Sequence, residues 1–111
     1  MIRHKLQELA RLLIDQTNHN QVRWEEAAQD AYRTTRPSVS IEVWRHEDWD
    51  EHPHTHADPV KWTMRVLDAR GKLLDSMTDD SLQDLYDVAR ASALDLDTHI
   101  EEIIELFRNE G

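Results

Sequence analysis

The segment His46-Glu47-Asp48-Trp49-Asp50-Glu51-His52-Pro53-His54-Thr55-His56-Ala57-Asp58 gathers four of the chain's seven histidines and five acids into thirteen residues. Imidazole and carboxylate are the ligands a divalent transition metal takes where no thiolate is on offer, and zinc or nickel is the cation this set would suit. In an extended segment His52, His54 and His56 point the same way with ~7 Å between successive positions. Neighbouring pairs can therefore share an ion, completed by Asp50, Asp58 or His46. The residue before Pro53 is biased towards extended backbone, which favours a two-histidine site. The same histidines titrate just below neutrality, with an ordinary pKa of ~6.5, so the segment can also sense protons. Protonating all seven would take the formal charge from −10 to −3.

Two further sets suit contact with another protein. Trp44 falls on the strand face opposite Val39, Ile41 and Val43, and Trp49 lies within the acidic segment; large aromatics outside a core stripe serve as interface anchors. Asp84 and Asp87 oppose the apolar side of one helix, and Glu101, Glu102 and Glu105 oppose that of the next. These five acids offer a surface to a partner with a basic face, whose encounter complementary potentials would speed.

The charge is unevenly placed. Residues 1–45 carry seven bases against six acids, residues 46–78 four against seven, and residues 79–111 two against ten. A phosphate backbone binds through Lys and Arg, so the C-terminal third repels nucleic acid. With no Cys and only two glycines in 111 residues, thiol chemistry, zinc ribbons and glycine-dependent phosphate loops cannot be built. The serines sit in no nucleophile motif, and the reading is non-enzymatic. No apolar run approaches the ~20 residues that span a bilayer, and the chain is expected to be cytoplasmic, without membrane contact.

The elements that must position these residues follow from periodicity. Ile2, Leu6, Leu9 and Leu13 repeat at helical spacing over residues 1–17. Leu12 and Ile14 widen that stripe, which suits a homodimer through this N-terminal helix. Val22-Arg23-Trp24 reads as a short isolated strand or wrap, and Glu25–Asp30 as loop. A β meander spans residues 31–76, with the 46–59 segment as its long loop. Within it Val39, Ile41 and Val43 alternate with Ser40, Glu42 and Trp44, and Trp62, Met64 and Val66 with Lys61, Thr63 and Arg65. Asp68-Ala69-Arg70-Gly71 is a tight turn needing positive φ at Gly71. Helices are expected over 79–94, started by Thr78-Asp79-Asp80, and over 98–109, started by a Thr98/Glu101 capping box, with Ile100, Ile103, Ile104 and Phe107 facing the core. The order describes a single α+β domain over 1–111, with an N-terminal helix, a three- to four-stranded antiparallel meander, and two C-terminal helices on one face of the sheet.

This arrangement resembles a group of small uncharacterised bacterial α+β proteins. The residues that carry the resemblance are Leu9, Leu13 and Thr17, then Trp24, Tyr32, the 62–75 hairpin, and the LY–AR–AL series Leu85-Tyr86, Ala89-Arg90 and Ala93-Leu94. The resemblance implies the fold and transfers no activity; the 46–59 segment exceeds the compact hairpin it implies. The functional expectation is a bacterial or phage interaction protein, an inhibitor, immunity factor or adaptor, with metal binding or pH sensing through His52, His54 and His56 as the alternative.

Overall fold

The computed structural model describes residues 2–47 and 60–110. The fold is α+β: helix α1 (Ile2–Asn18), strands β1 (Glu25–Ala28), β2 (Ala31–Arg36), β3 (Val39–Glu47), β4 (Val60–Asp68) and β5 (Leu73–Thr78), then helices α2 (Gln83–Leu94) and α3 (Leu96–Glu110). The strands form one antiparallel sheet in the order β1-β2-β3-β4-β5, so every neighbour in space is a neighbour in sequence. Short connections make that meander the economical arrangement for consecutive strands.

Period-two alternation divides the sheet into two faces. Register aligns Tyr32 with Val43, Val43 with Met64 and Met64 with Met77, giving one continuous apolar row across four strands. This row is buried against Leu6, Ala10 and Leu13 of α1 and Leu85, Tyr86 and Ala89 of α2. On the opposite face one aligned row is polar, Arg33, Glu42, Arg65 and Ser76, and the next is mixed, Ala31, Trp44, Thr63 and Thr78. The expected inward and outward sets of β3 and β4 are thus the observed ones.

Local chemistry explains the joints. Asp68 accepts the amides of Arg70 and Lys72 through Oδ1 at 2.9 Å each, and Gly71 takes φ +84° to close the β4–β5 turn. The Thr78-Asp79-Asp80 start signal acts one step early: Asp79 caps a short 3-10 turn over Asp80–Leu82 by accepting from the Ser81 amide, and α2 continues from it. At the end of α1, Thr17 Oγ1 donates to the Leu13 carbonyl at 2.6 Å and accepts from Trp24 Nε1 at 2.9 Å. The Trp24 amide in turn donates to Ser92 Oγ at 3.1 Å. The Thr17 and Trp24 positions singled out in the sequence therefore lace α1 to the segment before the sheet and to α2.

Three expectations need correction. The first concerns residues 22–30 and the strand count: the strand is Glu25–Ala28, which makes the sheet five-stranded rather than three- or four-stranded, while Val22-Arg23-Trp24 is the wrap and not a strand, with Val22 and Trp24 in the core. Glu-Glu-Ala-Ala has low β propensity, but an edge strand needs only one partner, and β2 supplies it. The second is the start of α3: the helix begins at Leu96, so Thr98 lies inside it rather than at its cap. Asp95 ends α2 in the left-handed conformation, its amide bonded to the Ala91 and Ser92 carbonyls, and the next residue opens α3. The third follows from that junction. A helix folding back antiparallel on its predecessor needs a loop of two to five residues, and one residue cannot return α3 to the sheet. α2 packs on the sheet with α1; α3 meets α2 near their junction and carries its apolar side into solvent. The Cα radius of gyration, 16.5 Å, accordingly exceeds the ~13 Å of a compact chain of this length.

Candidate functional site

The surface that departs furthest from ordinary burial is the apolar side of α3. Leu96, Ile100, Ile103 and Phe107 recur at +4, +3, +4, which aligns them along a helix, with Ile104 and Leu106 on either flank. Ile100, Ile103, Ile104, Leu106 and Phe107 are between 44% and 73% exposed. Residues of this kind scattered singly are normal on a protein surface; five contiguous on one helix form an interaction-sized patch. Ile100, Ile103, Ile104 and Phe107, expected in the core, are the residues the sequence mislocated, and Leu106 was missed. The signal that could have found them was Asp95, whose single-residue break leaves no loop for a return.

Three acids of α3, Glu101, Glu102 and Glu105, occupy the other side of the same helix. Glu101, Glu102 and Glu105 are exposed, and Glu105 pairs with Arg108 at 3.0 Å across one turn. Asp84 and Asp87 are exposed on α2. Among the described residues no hydrogen bond or ion pair joins the two acidic sets, and both remain solvated.

Trp44 is on the expected face of β3 but is not free. Its ring stacks on His46 with centroids 4.1 Å apart, and the Arg65 guanidinium lies 5.5 Å from its centroid. His46 Nε2 is 2.8 Å from Thr63 Oγ1, which is 2.8 Å from Thr78 Oγ1. Beside this set Glu42, 8% exposed, receives Arg33 through one carboxylate oxygen and Arg65, at 3.0 Å, through the other. Opposite charges on adjacent strands neutralise a carboxylate held away from water, and the partly buried Trp44 covers arginine. Among the described residues of this face, Arg65 Nε is buried without a hydrogen-bond partner.

Two open clefts flank these elements. One, of about 470 Å³, lies between the β2–β3 and β4–β5 turns, where Arg33 is spent on Glu42 and Arg36 donates to the Gln21 carbonyl. The other, of about 640 Å³, lies between the end of α1 and the α2–α3 junction, where Thr17 and Ser92 are already engaged. Neither sets a nucleophile against a base.

Trp49, Asp50, His52, His54 and His56 lie outside the described residues, as does Asp58. The segment that holds them joins β3 to β4 beyond the Glu47–Val60 pair. Among the described residues no group of three or more His, Asp or Glu is placed to hold a metal ion. No helix among them is long and apolar enough to cross a membrane. Comparison of the chain with protein-family models, with curated proteins and with solved structures finds no match to any of them.

Proposed function

We propose that this chain is a non-enzymatic protein-interaction module, of the adaptor, inhibitor or immunity kind, and that its contact element is the apolar side of α3 rather than the acidic one. One observation carries the reading: Ile100, Ile103, Ile104, Leu106 and Phe107 stand exposed together on a helix that touches its own chain mainly at its first turn. An isolated helix of this length is marginal in water, and three isoleucines lower its intrinsic propensity further. Packing of the apolar stripe against another polypeptide supplies what the described residues of this chain do not. Helix recognition through an i, i+3, i+4, i+7 set of anchors is a common mode of such contact. The acids Asp84, Asp87, Glu101, Glu102 and Glu105 then keep a sticky helix soluble and steer encounter. A reducing cytoplasm suits the module, since it has no thiol to protect or to oxidise.

The test is site-specific photo-crosslinking in the cells that make the protein, with a photoreactive phenylalanine at position 107 and, as control, at position 98 within the same helix. The expected result is a discrete crosslinked species from 107 and little from 98. Absence of any crosslinked polypeptide from 107 would refute the reading.

A further inference from the structure

We infer that the polypeptide covering α3 is α3 of a second copy of this chain, packed antiparallel; the inference rests on the reading of α3 as the contact element. The sequence of the stripe fits its own reverse. With the two-fold axis between positions 101 and 102, Leu96 of one copy faces Phe107 of the other and Ile100 faces Ile103, and the same two contacts repeat across the axis. Four layers result, each pairing a position of one type with a position of the other, as antiparallel knobs-into-holes packing requires. Ile104 and Leu106 flank this seam and widen it on both sides.

Glu101, Glu102 and Glu105 do not oppose the pairing, although the whole chain carries −10. By helical-wheel reckoning Glu101, Glu102 and Glu105 lie more than ~120° from the centre of the stripe. In the pair they point away from each other, farther apart than the ~8 Å over which exposed charges interact at physiological salt. The same placement weakens the case for a basic groove seated on Glu101, Glu102 and Glu105, whose rim would meet Ile104 and Leu106 before any of these three. Antiparallel packing also sets the two sheets at opposite ends of the helix pair, because each α3 leaves its own sheet at its N-terminus. Parallel packing would force two acidic α2 helices side by side.

The area suffices for a reversible dimer. The five exposed side chains hold on the order of 600 Å² per chain, so complete coverage in both copies would bury at most about 1,200 Å² in total, at the lower edge of stable interfaces. Area does not fix affinity, but contacts of this size belong to the small, transient class. α1 offers less: Leu6, Ala10 and Leu13 are spent on the core, and Leu12, 49% exposed, is the one large apolar side chain of α1 left substantially outside among those described.

Sedimentation equilibrium of the full chain from about 1 to about 300 μM tests the inference, with expected mass rising from one chain to two. Ile100→Lys and Ile103→Glu should each abolish the rise, with near-ultraviolet circular dichroism reporting that the tryptophan-bearing body stays folded. Mixing the two variants should restore a heterodimer, because the antiparallel register sets the introduced lysine against the introduced glutamate and leaves an Ile103–Ile100 layer intact. A parallel pair gives no such rescue. Wild-type protein that stays monomeric throughout, or a mixture that does not associate, overturns the second-copy assignment. Should position 107 then crosslink to a different polypeptide, the interaction reading survives without it; should it crosslink to nothing, both fall.

Discussion

At the scale of single residues, the chain's chemistry is spent on holding itself together. Tyr86 is 5% exposed on α2, with its ring centroid 5.5 Å from that of Tyr32 and its hydroxyl 3.4 Å from Asp30 Oδ1. Burial, then the neighbouring Tyr32 and the Asp30 carboxylate, push its phenol from the ordinary 10.0 up to about 12. A group that holds its proton more tightly when folded contributes stability that is complete below its unfolded pKa and is lost as pH rises through the folded one. Urea unfolding of the wild type should therefore lose stability between pH 10 and pH 12. Tyr86→Phe should flatten that loss, and equal slopes in the two proteins would remove Tyr86 as its source. Trp44 illustrates the limit of residue-level reading. Alternation placed it on the outer face, but its stacking on His46 and its arginine cover depend on side chains two residues away and on another strand.

Among the elements, the sheet shows best how a pattern becomes an energy. The alternation that sends Val43 and Met64 inward also lines Arg33, Glu42 and Arg65 across three strands, and the register converts three scattered charges into one bridged set. Both arginine side chains are 40% exposed, so solvent screens part of their attraction, while the carboxylate between them is nearly covered. Glu42→Gln should cost about 1–2 kcal/mol, a fall in Tm of about 5–10 °C. An unchanged Tm would mean that the row contributes no net stability. Helix α3 is the opposite case. Its periodicity was legible and its existence correctly expected, yet the same apolar stripe serves equally for a core contact within the chain or a contact outside it. The length of the connection at Asp95 decides between them, and a boundary misplaced by two residues concealed how short it is.

For the whole molecule, the core is complete without α3. Every residue of the buried cluster comes from α1, the segment leading into the sheet, the sheet itself, the 3-10 turn and α2. Deleting residues 96–111 should therefore leave a chain that unfolds cooperatively with Tm within about 5 °C of the monomeric Ile103→Glu variant. It should also sediment as one chain at every concentration. Loss of cooperative unfolding on this deletion would show that α3 supports the body in a way its contacts do not suggest. The sequence by itself determined the class of fold and the two faces of the sheet, because these depend on periodicity and turn chemistry that are local along the chain. It also confined most of the negative charge to residues 79–111, a matter of composition. Tertiary structure alone decided which apolar stripe was buried and which exposed, that the outer arginines would share one carboxylate, and that Thr17, Trp24 and Ser92 would meet. The first depends on the direction in which α3 leaves α2, set by the backbone conformation at Asp95; the second depends on strand register; the third depends on how α1, the segment before the sheet and α2 pack together, and each brings together residues or elements that periodicity along the chain does not relate.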